Sequence, residues 1–196
     1  MIVAIVLAAG RSERMSFPKP LLPCGDTTFL GAILDTLAST RVADVRVVLG
    51  HASETVLAEM GLQADVFTVN LDYETGMLSS VRAGVRALPP EAAGFLVWPV
   101  DHPLVTSGTI TALLDAFDRT AGPIVLPTLA GRRGHPVLLS TRLASEVLAA
   151  EDSVGLQQVV HAHADEVAEV AVEDGGILAD IDTPEAYAMA FGRPPS

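Results

Sequence analysis

Short apolar runs alternate with helix-like segments along most of the chain. The apolar runs are rich in Val, Ile and Leu, and they lie at residues 2–7, 45–49, 66–69, 94–97 and 124–126. Between most of them, apolar residues recur at helical spacing, as Leu30, Ile33 and Leu37 do. Strands that alternate with helices form β-α-β units around a parallel sheet. The pattern therefore predicts an α/β fold in which helices cover both faces of a mainly parallel sheet.

The helical segments have recognisable beginnings and ends. The first helix is expected at residues 28–39, with Asp26 or Thr27 as its N-cap. Further helices are expected at residues 53–59, 78–88, 106–119, 143–148 and 155–161. Pro184 suits the first turn of a last helix. We expect a single domain over residues 1–192, followed by a frayed C-terminus at residues 193–196.

The pattern changes after Gly122. Two apolar runs, at residues 124–127 and 136–139, flank the turn-forming stretch A-G-R-R-G at residues 130–134. This arrangement predicts two strands joined by a turn, and it would give the sheet an antiparallel edge. A further strand is expected at residues 167–172. The predicted sheet is therefore mixed, although most of its strands are parallel.

The composition favours a small molecule as the partner and argues against nucleic acid or a membrane. The chain has 196 residues, of which 24 are acidic and 12 are Lys or Arg, so its formal net charge is −12. Binding to nucleic acid or anionic lipid depends on clustered Lys and Arg. No apolar run reaches the roughly 18 residues that a membrane-spanning helix needs, so we expect a soluble protein. A single cysteine, Cys24, fits a reducing compartment, and the expected location is the cytoplasm.

The loop after the first strand has a charge opposite to that of the whole chain. Residues 7–23, L-A-A-G-R-S-E-R-M-S-F-P-K-P-L-L-P, hold Arg11, Arg14, Lys19 and one acid, Glu13. Lys19 is also the only lysine of the chain. A flexible ammonium group at the carboxyl end of a strand suits a phosphate. The chain has neither G-x-x-x-x-G-K-[ST] nor G-x-G-x-x-G, so this phosphate site is not that of a P-loop or of a standard dinucleotide fold.

The stretch L-A-A-G-x-S-x-R-M, followed by P-K-x-L-L-P, resembles the signature loop of nucleotidyltransferases, in particular those similar to molybdenum cofactor cytidylyltransferase and guanylyltransferase. The resemblance implies a three-layer, Rossmann-like nucleotidyltransferase fold. It implies that Arg14 reaches the β- and γ-phosphates and that Lys19 reaches the α-phosphate. The residues that it implies for nucleotide binding in this loop are Leu7, Ala8, Ala9, Gly10 and Arg11. One departure is Ser16, which stands where the family usually has Gly after R-M.

The same resemblance extends to acidic residues far along the chain. Asp101, in V-W-P-V-D-H-P, is similar to the family's metal-binding and catalytic aspartate, and the expected ion is Mg²⁺. The family often adds a second acidic group late in the chain, and Asp182 in D-I-D-T-P-E is the match. Asp180 lies two residues earlier and would share its face in an extended segment. Which of the two carboxylates is the second ligand stays open here.

Two other segments resemble parts of the family proteins that contact the substrates. The stretch N-L-D-Y-E-T-G-M-L-S-S resembles a segment in which Gly76, Ser79 and Ser80 would contact the nucleotide. The tripeptide G-H-P places Gly134 and His135 where the family meets its acceptor substrate.

The resemblance implies transfer of CMP from CTP to the molybdopterin form of the molybdenum cofactor, with release of pyrophosphate. L-A-A-G and P-K favour CTP, because guanylyl-transferring members tend to carry L-A-G-G and D-K. The product would serve a molybdenum hydroxylase, which is the expected transient protein partner. Two alternatives stay open: transfer to another phosphorylated acceptor, such as a sugar phosphate or methylerythritol phosphate, and a non-catalytic carrier of molybdopterin.

Overall fold

The first strand, β1 (Ile2–Ala8), lies at the centre of the sheet because all seven of its residues are apolar and buried. The computed structural model describes residues 1–120 and 122–194. β1 pairs in parallel with β4 (Asp44–Leu49) on one side and with β6 (Gly94–Pro99) on the other. The three parallel strands end at the same edge of the sheet, which places the loops that follow them together.

The complete sheet has eight strands, and a separate two-stranded sheet lies outside it. The remaining strands are β2 (Pro23–Cys24), β3 (Thr27–Thr28), β5 (Phe67–Val69), β7 (Ile124–Leu129), β8 (Arg132–Arg133), β9 (Val137–Ser140) and β10 (Val167–Ala171). The order across the large sheet is β10-β7-β9-β6-β1-β4-β5, with β8 paired to β7. The small sheet consists of β2 and β3.

Seven α-helices connect these strands in the part of the chain that is described. They are α1 (Phe29–Ala38), α2 (Ser53–Met60), α3 (Met77–Arg86), α4 (Ser107–Arg119), α5 (Ala144–Ala149), α6 (Gln157–Ala162) and α7 (Pro184–Phe191). Most of their ends lie within two residues of the expected positions, and α7 begins at the proline as predicted. Among the described residues, no helix combines the length and the apolar composition needed to cross a membrane.

Helices pack against both faces of the sheet and form two hydrophobic cores. Side chains of successive residues in a strand point to opposite faces. Ala4 and Val6 of β1 therefore belong to the core beneath α1, α4 and α7, whereas Ile5 and Leu7 belong to the core beneath α3, α5 and α6. This is the three-layer α/β fold with a mostly parallel sheet that the sequence predicts.

The antiparallel strand β9 lies inside the sheet, so the predicted antiparallel edge is wrong. β9 pairs antiparallel with β7, as expected, but it also pairs antiparallel with β6. The edge beyond β7 is formed by β10, which runs parallel to β7. Val137, Leu138 and Leu139 are buried, and an edge strand would expose part of this apolar surface. The interior position is thus the one that removes these residues from water.

The first helix is capped by Thr28, so the predicted N-caps Asp26 and Thr27 are wrong. Thr28 Oγ1 accepts a hydrogen bond of 3.0 Å from the backbone N–H of Gly31. Thr27 is still paired with Cys24 in the small sheet, so the backbone remains extended up to Thr28. The single-domain organisation of residues 1–192 stays a prediction. The expected frayed end includes residues 195 and 196, which lie outside the described residues.

The contact between α3 and β1 tests the packing of the second core. A Cβ atom added at Gly84 would overlap Ile5 Cγ2, whereas one added at Gly108 of α4 would have no neighbour closer than 3.8 Å. We expect Gly84→Ala to lower the free energy of unfolding by about 1–3 kcal/mol through overpacking. Gly108→Ala should be neutral or stabilising by up to about 1 kcal/mol because alanine favours helices. Urea denaturation of both variants measures the difference, and equal stabilities would contradict the described packing.

Candidate active site

A cavity of about 300 Å³ opens at the carboxyl ends of β1 and β6. Its wall consists of residues 7–10 and Ser12 from the first loop, together with Lys19 and Pro20. Tyr73, Gly76, Met77 and Ser80 form the opposite wall, and residues 99–101 form the floor. A cleft at this edge of an α/β sheet is the usual place for a ligand.

The first loop is folded onto itself by Ser12. Ser12 Oγ accepts a hydrogen bond of 2.8 Å from the backbone N–H of Lys19, and the Ser12 carbonyl accepts one of 2.9 Å from Met15 N–H. Met15 is buried and anchors the turn in the core. Ser16 adopts φ 55°, a left-handed conformation that favours glycine. The family's usual Gly therefore fits this position, and Ser16 holds the same turn with more steric strain.

The basic side chains of the loop face carboxylates from two distant segments. Lys19 Nζ lies 3.5 Å from Asp101 Oδ2, and both side chains are largely buried, with exposed fractions of 15% and 21%. Arg14 Nη2 lies 2.5 Å from Asp182 Oδ2, where the arginine is mostly exposed. Arg11 pairs with Glu74 and lies within 3.6 Å of Glu13. Lys19 and Arg14 thus meet the two predicted metal-binding aspartates, whereas Arg11 lies at the rim.

Asp101 is the best placed of the acidic groups to hold a divalent cation. Its Oδ1 atom is buried and has no hydrogen-bond partner among the described residues. The Asp101 carbonyl accepts a hydrogen bond of 2.9 Å from Ile181 N–H, which brings Asp180 and Asp182 to the same edge. Carboxylate oxygens are the ligands that Mg²⁺ and Mn²⁺ prefer. The chemistry of these carboxylates therefore fits a hard divalent cation, although among the described residues no three His, Cys, Asp or Glu side chains are already grouped around one point.

Asp180 experiences the negative charge of this cluster. Asp180 is exposed, but partial burial of its carboxyl raises its pKa, and the charges of Asp101 and Asp182 raise the pKa further, against smaller opposing effects of His102 and Lys19. Asp182 is already paired with Arg14, whereas no ion pair within 4.0 Å involves Asp180 in the described part of the chain. The geometry therefore keeps both carboxylates as candidates for the second ligand.

Two histidines lie close to Asp101. The rings of His102 and His135 are 4.9 Å apart, and His102 Nε2 lies 3.9 Å from Asp101 Oδ1. Burial lowers the pKa of His135 to about 4, helped by the charge of His102 and opposed by Asp101. His135 is therefore neutral at pH 7, so it can bind an anion only through hydrogen bonds and not through a charge.

The segment of Gly134 and His135 is fixed by a contact with the chain that leads to Asp180. His135 N–H donates a hydrogen bond of 2.9 Å to the Ile177 carbonyl, and a Cβ atom at Gly134 would overlap that carbonyl. Sequence reasoning did not select His102 as a candidate. Its position directly after Asp101 in D-H-P was the available signal, but nothing in the sequence shows that it faces His135.

The structure brings most of the predicted site residues into one region. Those that line the 300 Å³ cavity are Leu7, Ala8, Ala9, Gly10, Lys19, Gly76, Ser80 and Asp101. Arg11, Arg14 and Asp182 line an adjoining cavity of about 230 Å³, which shares Lys19 with the first. Ser79, Gly134 and His135 do not line either cavity. Lys19 lines both cavities and the two arginines line the second, and such basic groups close to carboxylates suit a triphosphate with its metal ion.

Comparison with known proteins yields matches over most of the chain. The family model described as MobA-like NTP transferase domain matches residues 4–167. The molybdenum cofactor cytidylyltransferase of Escherichia coli is 29% identical over 202 residues, covering 98% of this chain and 96% of that protein. The bifunctional protein GlmU of Xanthomonas oryzae is 31% identical over 137 residues, covering 69% of this chain. The chain spans only about a third of the length of the GlmU relatives.

Solved structures with the same fold also cover nearly the whole chain. The crystal structure of the Rv0371c protein of Mycobacterium tuberculosis has a TM-score of 0.87 and 33% identity, covering 98% of this chain and 97% of that one. A crystal structure of Rv0371c in complex with manganese has a TM-score of 0.81 and 30% identity, covering 98% of both chains.

The crowding of three carboxylates predicts that removing one charge stabilises the metal-free protein. We expect Asp180→Asn to raise the Tm by up to a few degrees without divalent cations, because it relieves repulsion with Asp101 and Asp182. Glu173→Gln is the matched control, since Glu173 is another exposed acidic residue of the same segment and its replacement removes the same charge. Thermal unfolding in EDTA measures both changes. A lower Tm for Asp180→Asn than for the control would contradict the repulsion.

Proposed function

The chain belongs to the MobA-like NTP transferase family of nucleotidyltransferases, and we propose that it transfers CMP from CTP to the molybdopterin form of the molybdenum cofactor, releasing pyrophosphate. The observation that carries the proposal is the pairing of Lys19 and Arg14 with Asp101 and Asp182 beside the cavity. In nucleotidyl transfer, anionic phosphates must be brought close to each other and to an anionic acceptor. A site with both cations and metal-binding carboxylates meets that requirement.

The proposed reaction is an in-line displacement at the α-phosphorus. An oxygen of the acceptor phosphate forms the new bond, and the bond from the α-phosphorus to the bridging oxygen of pyrophosphate breaks. A phosphate monoester has a second pKa of about 6, so the acceptor is largely ionised at pH 7 and needs no strong general base. Lys19 binds the α-phosphate, and Arg14 binds the β- and γ-phosphates. These residues orient the reactants and offset the charge that concentrates on the leaving group.

Asp101 would hold Mg²⁺, together with Asp182 or Asp180. The unpartnered Oδ1 of Asp101 supports this assignment, and the manganese complex of the similar Rv0371c protein agrees with a divalent ion. When bound, the ion supplies charge neutralisation between the phosphates and the carboxylates. The Lys19 and Arg14 pairs then exchange their carboxylate partners for phosphate oxygens.

The choice of CTP rests on the first loop and on similarity over the full chain. L-A-A-G in residues 7–10 and P-K at residues 18–19 resemble the cytidylyl-transferring members of the family. The Escherichia coli relative that matches the chain from end to end is named molybdenum cofactor cytidylyltransferase. Gly134 and His135 are the proposed contacts of the acceptor, next to Asp101. The proposed setting is the cytoplasm, with a molybdenum hydroxylase as the transient partner that receives the product.

A sugar phosphate is the second candidate for the acceptor. Lys19, Arg14 and Asp101 act on the phosphates and the metal ion, so they would suit this acceptor, or methylerythritol phosphate, as well as molybdopterin. Both candidates share the first loop and Asp101, so they differ only on the acceptor side of the site.

A pyrophosphate-release assay with each nucleoside triphosphate distinguishes these functions. With Mg²⁺ and molybdopterin cofactor, we expect release with CTP and at least tenfold less with GTP, ATP or UTP. Replacing the cofactor with a sugar 1-phosphate or with methylerythritol phosphate should abolish release. Release with the sugar phosphate would instead support the second candidate, and tight cofactor binding without release under any condition would indicate a carrier.

Two substitutions test the roles of the charged pair. Lys19→Ala and Asp101→Asn should each lower the transfer rate by at least about 10²-fold, because each removes a group that offsets charge at the reacting phosphates. Arg41→Ala is the matched control, since Arg41 pairs with Asp115 and Asp118 away from the cavity. Unchanged circular dichroism shows that the variants are folded. Full turnover by either site variant would contradict the assignment.

A further inference from the structure

The side-chain amide of Asn70 is shared by two neighbouring serines at the start of α3. Asn70 Nδ2 lies 2.8 Å from Ser79 Oγ and 3.0 Å from Ser80 Oγ. The three residues are almost completely buried, with exposed fractions of 6% for Asn70, 8% for Ser79 and 4% for Ser80. Because buried polar groups need partners, the direction of each of these hydrogen bonds has consequences for the cavity.

The orientation of the Asn70 amide is fixed by the backbone of the following loop. Asn70 Oδ1 accepts a hydrogen bond of 3.0 Å from Asp72 N–H. A backbone N–H can only donate, so the oxygen must face Asp72 and the NH₂ group must face the serines. Asn70 therefore donates one hydrogen to each serine, and both hydroxyl oxygens act as acceptors toward it.

The hydrogen of Ser79 is used within the protein. Ser79 Oγ donates a hydrogen bond of 2.8 Å to the carbonyl of Gly76. Gly76 has φ 119°, a conformation available to glycine, and it lines the cavity just before α3 begins. Ser79 is thus occupied on both sides, and its hydroxyl secures the Gly76 turn.

The hydrogen of Ser80 has no acceptor among the residues that the structure describes, although Ser80 lines the cavity. Its oxygen already accepts from Asn70, so its single hydrogen must point in another direction. Leaving a buried hydroxyl hydrogen unpaired costs free energy, and a ligand acceptor in the cavity removes that cost. Ser80 can therefore donate a hydrogen bond to a ligand, whereas the adjacent Ser79 cannot.

We propose that Asn70 is a positioning residue that makes Ser80 a hydrogen-bond donor to the base of the nucleotide, while Ser79 only holds the Gly76 turn. The proposal deepens the proposed function and rests on it. Cytosine offers two acceptors, O2 and N3, whereas guanine presents two N–H donors and one acceptor on its pairing edge. Because Asn70 already donates to the Ser80 oxygen, the free hydrogen of Ser80 is directed to an acceptor atom, and the pairing edge of cytosine offers two of these.

The test measures the binding of CTP and two analogues by calorimetry with Mg²⁺. The analogues are 3-deazacytidine triphosphate, which lacks the N3 acceptor, and 2-thiocytidine triphosphate, in which sulfur weakens the O2 acceptor. We expect the wild-type protein to bind one of them about tenfold more weakly than CTP. Ser80→Ala should bind that analogue and CTP equally, and Ser79→Ala should keep the tenfold ratio.

Asn70→Asp tests the positioning role directly. A carboxylate can only accept, so it takes the hydrogen of Ser80 and leaves the oxygen of Ser80 toward the ligand. We expect the Kd of the analogue divided by the Kd of CTP to fall to about one. A merely structural change would weaken the binding of CTP and of the analogue equally, so this ratio would stay at its wild-type value. If this variant does not fold, the two serine variants decide the matter.

The outcomes separate this inference from the function on which it rests. A wild-type protein that binds no CTP would overturn both. Binding of CTP without discrimination against either analogue would overturn the inference alone. The inference would also fail if Ser80→Ala kept the wild-type ratio or if Ser79→Ala lost it.

Discussion

The ion pair between Lys19 and Asp101 is the interaction on which the organisation of the site depends. It joins the only lysine of the chain to a carboxylate that follows a buried central strand, across a distance of 3.5 Å. In a chain with a net charge of −12, gathering three of its carboxylates at one sheet edge is unfavourable unless cations are close. The first loop supplies those cations. The same groups satisfy one another when the site holds no substrate and are available to phosphates and a metal ion when it does.

The fold makes this juxtaposition possible by bringing distant segments to one edge. β1 and β6 are parallel neighbours, so the loop of Lys19 and the turn of Asp101 emerge side by side. The segment of residues 174–182 is held to this edge by several hydrogen bonds. Asp174 accepts hydrogen bonds from Thr106 and Thr109 at the start of α4, and Ile181 donates to the Asp101 carbonyl. Asp180 and Asp182 thereby reach the edge although neither belongs to the sheet.

Much of this arrangement could be predicted from the sequence because it depends on local patterns. The alternation of apolar runs predicted the three layers, and the composition of residues 7–23 singled out the cationic loop. Other features depend on contacts that no local pattern reveals. The strand β9 lies in the interior of the sheet because it pairs with β6, which comes much earlier in the chain, as well as with β7. Ser79 and Ser80 look equivalent in sequence, and only the amide of Asn70 distinguishes them. No local pattern indicates that the ring of His102 packs beside that of His135.

The measurement that tests the central claim most directly is the affinity for Mn²⁺ without nucleotide, followed by electron paramagnetic resonance in the wild-type protein and in Lys19→Met. If Lys19 occupies Asp101 in the empty site, removing its charge frees the carboxylate. The account predicts that Lys19→Met binds Mn²⁺ more tightly than the wild type, by about fivefold, while it binds CTP more weakly. An affinity for Mn²⁺ that is unchanged or lower in Lys19→Met would contradict the account.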